Sequence, residues 1–306
     1  MKKYMTPALA FCALLLGACV DGLGPESVSE VDREDILATL GESGFFTDGF
    51  GTDGVGANVV AYFDGAAAPR AWGRRRGLPV RREVEVIFDR EAGTATVTKT
   101  VDFEGEFLQR LEDGSVASKP LEEQLTQSAL LQRLTDVRVH EKTGRRSHWK
   151  LLEISPKEFR LIDETKRTVN IQQVRIVVNG VTVLEIIDPS ERLAIESDRV
   201  AHLSEGDEVS VYASVANETN GDASETYVFL HVFHAFADRT GWHRLLMEYS
   251  PDLGEYVAGW VVRHSGREHV MVDALDSGSF DLEGEYRANI WGVPYRIGET
   301  NSGAAN

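Results

Sequence analysis

The sequence predicts an α+β region followed by an all-β sandwich, both carried behind an N-terminal segment that is cleaved off. Three observations support this. A basic start, Met1-Lys2-Lys3, leads into nine consecutive apolar residues from Ala8 to Leu16. That length suits a secretory leader and is too short to cross a bilayer. A single short helical period then covers 32–40, with strand-like alternation beginning at Glu83. From Thr168 onward the pattern is period-two throughout, punctuated by turn residues. The expected divisions are a leader at 1–18, a tether at 19–30, an α+β domain at 31–164, a β-sandwich at 165–298 and a disordered tail at 299–306.

The leader ends in Leu16-Gly17-Ala18-Cys19. On these residues it resembles a bacterial lipoprotein precursor, whose lipobox closes on a cysteine preceded by small residues and a leucine. The resemblance implies that Cys19 receives a diacylglycerol, that cleavage falls just before it, and that the new amine is acylated. Three acyl chains make firm anchoring reasonable, because one chain alone binds a membrane only marginally. The residue after the cysteine is Val20 and not Asp, which resembles the class sorted to the outer membrane of two-membrane cells. The implied partner is a lipid bilayer and the implied location the bacterial cell envelope. An ordinary secretory signal, cut after another small residue, is the alternative. Cys12 lies inside the leader and Cys19 is the only other cysteine. An acylated Cys19 therefore leaves no thiol for a nucleophile, a disulfide or a zinc site.

Val20 to Ser29 is rich in Gly, Pro, Ser and Glu and suits a tether. Ile36, Leu37 and Leu40 give one amphipathic helix, with Asp32 as N-cap and Gly41 as stop. Residues 41–57 are glycine-dense and suit a loop. Val84, Val86 and Phe88, an Ala92-Gly93 turn, then Ala95, Val97, Val101 and Phe103 describe a hairpin with threonines on its wet side. Leucines between 121 and 134 fit helix or strand equally, while 148–156 suits a strand ended by Pro156. Helix, antiparallel meander and a closing Trp149-Lys150-Leu151 strand resemble, over about residues 30–160, the cone-shaped nuclear-transport-factor-like fold.

In the second half, Val174, Ile176 and Val178 precede Asn179-Gly180, a strong hairpin signal. Val209, Val211, Ala213 and Val215 make a half-buried strand, and Tyr227–Ala237, apolar on both faces, a central one. Tyr256–Val262 and Val270–Ala274 are expected to pair across Ser265-Gly266. Leu282-Glu283-Gly284-Glu285-Tyr286-Arg287-Ala288 resembles the tyrosine-corner strand of immunoglobulin-like domains. Ala288 stands where that family's second cysteine would be, so the inter-sheet disulfide is missing.

Acidic residues number 49 against 32 Lys plus Arg, a net charge of −17. Such a chain repels nucleic acid, so none is expected as a partner. The paired hairpin would put His264, His269, Tyr256 and Trp260 on one face, a platform for a sugar, a peptide or a neighbouring protein. The bland alternative makes Trp260 part of the core. The basic run containing Arg74, Arg75 and Arg76, with Trp72 inside it, offers an anion site or merely pairs with the acidic surroundings. His231 and His234 spell HxxH, but three residues apart on a strand they point to opposite faces. Ser147 and Lys150 match SxxK without its companion motifs. Asp48 and Asp53 sit in two Asp-Gly steps, too few acids for a calcium loop. No metal or cofactor is expected. The role these features imply is non-enzymatic binding or scaffolding, with an envelope protein or glycan as partner. The alternatives are a small-ligand binder using an N-terminal cavity near Trp72, Trp149 and the arginines, or a hydrolase with unidentified carboxylates.

Overall fold

A computed structural model of the protein describes residues 30–48, 72–111, 113–139, 143–196, 199–219, 226–236, 239–263 and 266–298. The leader, Cys19, the tether, Asp53, His264 and the tail at 299–306 lie outside the described residues. What is described is overwhelmingly strand, with a single α-helix, α1 (Glu30–Glu42).

Helix α1 forms where expected, and Ile36 and Leu40 are its buried stripe. Its ends differ from expectation. Asp32 lies inside the first turn with Glu30, where carboxylates favour the positive end of the helix dipole. Gly41 does not stop the helix. Ser43 does, donating both its amide and its hydroxyl to the carbonyl of Leu40, and Gly44 then turns the chain at φ +76°.

Three long strands follow in an antiparallel meander: β1 (Trp72–Asp89), β2 (Thr94–Arg110) and β3 (Val116–Val139). The Ala92-Gly93 turn joins the first two, with Gly93 at φ +64°. The ambiguous leucine segment is strand, because Leu121, Glu123, Leu125, Gln127, Ala129 and Leu131 are buried at every second position. Strand β4 (Arg146–Ile154) pairs with β3, Ser155-Pro156 breaks it, and β5 (Lys157–Leu161) returns to pair with β3 further along.

The remaining strands are β6 (Val169–Val178), β7 (Val181–Ile186), β8 (Leu193–Ala194), β9 (Ala201–Ser204), β10 (Glu208–Asn217), β11 (Thr226–Phe236), β12 (Arg239–Leu246), β13 (Glu248–Ser250), β14 (Glu255–Val261), β15 (Gly266–Asp276) and β16 (Ala288–Gly298). Asn179 and Gly180 both take positive φ, 49° and 81°, which is the backbone a two-residue hairpin between β6 and β7 requires.

These strands build two sheets. The larger follows the order β1-β2-β3-β5-β16-β15-β11-β12, with β4, β8 and β9 as side branches; β9 is parallel to β16 and the other pairings are antiparallel. The smaller runs β13-β14-β10-β6-β7. Hydrogen-bonded strands therefore cross the boundary expected at 164/165, since β5 pairs with β3 on one side and β16 on the other. One hydrophobic cluster likewise joins Leu131 and Trp149 to Val211 and Trp291. The outer face of β11, β15 and β16 (Val228, Leu230, Val270, Val272, Trp291 and Val293) shares that cluster with Val174, Ile176, Val209 and Val211 of the smaller sheet. This is the two-layer sandwich in its coarse form.

Two expectations are corrected here. Strands β14 and β15 do not pair across Ser265-Gly266: β14 bonds β10 and β13, whereas β15 bonds β11 and β16. The chain crosses between layers instead of folding back within one. The crossing lets Tyr256 and Trp260 share one interior with Val270 and Val272. A hairpin would have turned the aromatic residues outward. The tyrosine corner is also absent, because the Tyr286 hydroxyl donates to Glu123 Oε1, at 2.6 Å, and not to upstream backbone.

Candidate functional site

The larger sheet rolls onto itself. Arg244 of β12, at one end of the strand order, donates to the carbonyl oxygen of Trp72 in β1, at the other end, at 2.9 Å. Its guanidinium also lies 3.6 Å from the Trp72 ring centroid. The strand period of two then sends every second side chain inward, and the pairing registers stack these side chains in layers.

At the base is an apolar layer of Trp72, Phe107, Leu121, Phe229, Leu275 and Phe280. Trp72 holds it together, with ring centroids 5.0 Å from Phe229 and 5.4 Å from Phe107. Above it lies a layer of charge. Arg74 meets Asp273 through two parallel bonds of 2.5 and 2.7 Å, and its Nε donates to Tyr286 at 2.5 Å. Arg76 donates Nε and Nη2 to Glu123 Oε2 at 2.7 and 2.5 Å. His231 Nε2 lies 3.0 Å from Asp273 Oδ2. A second apolar layer follows, made by Val101, Phe103, Leu125, Phe159, Met271 and Ile290. Beyond it Lys99, Gln127, Lys157 and His269 form a basic layer, all four buried.

Electrostatics in the charged layer follow from closure. Burial alone would push the Asp273 carboxyl up, but the Arg74 guanidinium and the His231 hydrogen bond hold it far below the usual carboxylate range. Burial pushes His231 down to about 4 against the pull of Asp273. Tyr286 is raised well above its ordinary value, first by burial. Such a layer is organised as a closed ion-pair network. Arg74, Asp273 and Glu123 show 3%, 0% and 2% side-chain exposure, so none of the three offers an open face to a substrate.

A pH dependence follows from the buried neutral imidazole. In the unfolded chain His231 takes up a proton near 6.5, while the folded chain resists until about 4. Its contribution is present above 6.5 and is lost as pH falls from 6.5 toward 4, by about 3 kcal/mol. Urea midpoints of the wild type and His231→Gln, compared between pH 7.5 and 4.5, should show a steeper acid loss in the wild type. Equal slopes would refute this.

The residues expected from sequence are scattered by this architecture. Trp72 is packed in the interior, and the Arg74 and Arg76 side chains are buried and paired with carboxylates, which corrects their expected place in a ligand-facing anion site. Arg75 points out from the same strand and pairs at the surface with Glu106. Tyr256 is buried, with its hydroxyl bonded to the carbonyl of Thr226 at 3.2 Å, and Trp260 packs 6.3 Å from Tyr295. The aromatic–histidine platform is therefore not formed: two members belong to the interlayer core, and His269 faces the inside of the rolled sheet. Ser147 sits on strand β4, 3.1 Å from Asp35 Oδ2, not at the helix start that SxxK needs. Asp48 is flanked by Lys99 and Arg82, cations that would repel calcium.

The residues that sequence reading missed carry a usable mark. Lys99, Glu123, Lys157 and Asp273 each occupy the inward phase of an apolar alternation, as in Ala95-Val97-Lys99-Val101. A charge in that phase must find a partner inside. Among the described residues no group of three or more His, Cys, Asp or Glu is arranged to hold a metal ion, and no helix is long and apolar enough to cross a membrane. No protein-family model matches the chain, and no significant match is found among curated proteins or solved structures.

Proposed function

We propose that the protein is an envelope lipoprotein, anchored through acylated Cys19 and most consistent with the outer-membrane class, whose folded body acts as a non-enzymatic binding or scaffolding module. The observation that carries the anchor is positional agreement: basic start, nine apolar residues and Leu16-Gly17-Ala18-Cys19 follow one another at the spacing a lipoprotein leader needs. Support for a non-enzymatic body comes from the charged layer, whose acids and bases are spent on one another. The α+β character of 31–164 and an envelope protein or glycan as partner belong to the same reading.

Native mass spectrometry of the protein extracted gently from its own membrane tests it. The expected mass begins at Cys19 and carries acyl chains, and Cys19→Ala removes them and releases the protein from the membrane fraction. An unacylated wild-type mass overturns the anchor. A small-molecule role is the second reading, favoured by one observation in the basic layer.

A further inference from the structure

The basic layer is filled by the chain itself. Directly after α1, residues Phe45 to Asp48 enter the rolled sheet. Lys99 Nζ donates to the Thr47 carbonyl at 3.1 Å, lies 3.2 Å from Asp48 Oδ1 and sits 4.2 Å from the Phe46 ring centroid. Lys157 Nζ donates to Thr47 Oγ1 at 2.7 Å, and Gln127 Nε2 to the Phe45 carbonyl at 3.1 Å. The Phe45 ring meets His269 edge-on at 5.9 Å.

Lys99, Lys157 and His269 face inward, and Asp48 sits against Lys99 while Arg82 engages it from the other side. His269 is 5% exposed, and its Nε2 has no hydrogen-bond partner among the described residues; Gln127 Oε1 has none either. An unpaired polar atom at that depth is costly. Apolar walls are also in place: Lys99, Lys157 and His269 stand two positions along their strands from Val101, Phe159 and Met271 of the neighbouring layer.

We propose that Lys99, Gln127, Lys157 and His269 form a binding site for a small organic carboxylate with an aromatic or alkyl body, and that Phe45–Asp48 occupies it as an internal surrogate. The segment supplies each piece such a ligand would bring. Asp48 gives the carboxylate, Thr47 the hydrogen-bond acceptors, and Phe45 and Phe46 the rings. Burial pushes the Lys99 ammonium down to about 7 and His269 well below its ordinary value. These are two bases that an added anion would favour in their charged forms. The same segment must leave before a ligand enters, so the wild type should bind weakly.

The site depends on interior geometry and not on where the chain is anchored, so it and the Cys19 reading fail separately. The test is calorimetric titration of the full-length protein in neutral detergent with 3-phenylpropionate, using 3-phenylpropan-1-ol as the uncharged control. Asp48→Asn removes the surrogate anion and should tighten carboxylate binding at least about tenfold. Lys99→Met should abolish that binding. Phe46→Ala serves in place of Asp48→Asn if that variant does not fold. Equal affinity for the alcohol, binding that survives Lys99→Met, or no gain on weakening the segment would each overturn the proposal.

Discussion

Asp273→Asn is expected to destabilise the fold by about 3–5 kcal/mol, the cost of leaving a buried charge without its partner. Asp273 is fully buried and accepts two bonds from Arg74 and one contact from His231. Asn keeps the shape but not the charge, and its amide group presents a donor to a guanidinium that has only donors. Arg74 would then rely on Glu123, 3.5 Å from its Nε and already engaged by Arg76. Urea unfolding should show a lower midpoint with an unchanged slope, since the surface exposed on unfolding is the same. The pair need not be favourable overall. Replacing Arg74 by Met and Asp273 by Leu together should recover most of the loss, because both desolvation costs disappear along with the attraction. A single-variant loss below about 1 kcal/mol would mean that water reaches the layer.

Many of the individual strands were legible because each obeys one rule. Threonines at 94, 96, 98 and 100 opposite Ala95, Val97 and Val101 mark a sheet with one buried face. Asn179-Gly180 specified its hairpin because few other residues accept positive φ twice in succession. What failed was the choice between partners. Nothing local separates a strand that folds back from one that crosses to the facing layer, and the turn chemistry of Ser265-Gly266 suits both. The deciding quantity was which face of Tyr256–Val262 could be buried, a property of β10 more than forty residues away in sequence. The candidate site suffered in the same way. Arg74, Glu123 and Asp273 come from β1, β3 and β15, and only closure of the sheet brings them within bonding distance. An alternation with a charge in its apolar phase announces that a partner exists without naming it.

Trp149→Ala is expected to cost about 3–5 kcal/mol, comparable with Asp273→Asn but for an apolar reason. The indole is 1% exposed, meets Phe88 edge-on at 5.4 Å and belongs to the cluster that includes Ile36 and Leu40 of α1. Its Nε1 also reaches Asp32 Oδ1 at 3.4 Å. Deleting it removes the seat of a thirteen-residue helix, which is marginal alone at that length and persists through packing. The polar ties of the same helix are a useful contrast. Arg145 bonds Asp35, Thr39 and Glu42, yet its side chain is 26% exposed and water can replace much of what it offers. Arg145→Ala should therefore cost only about 1 kcal/mol. Hydrogen exchange separates the two effects. In Trp149→Ala the amides of 30–42 should exchange well ahead of those in β10 and β16, showing the helix leaving while the sheets hold. Uniform acceleration across the chain would mean instead that α1 and the sheets unfold as one unit, making the helix a structural part of the core and not an element docked onto it.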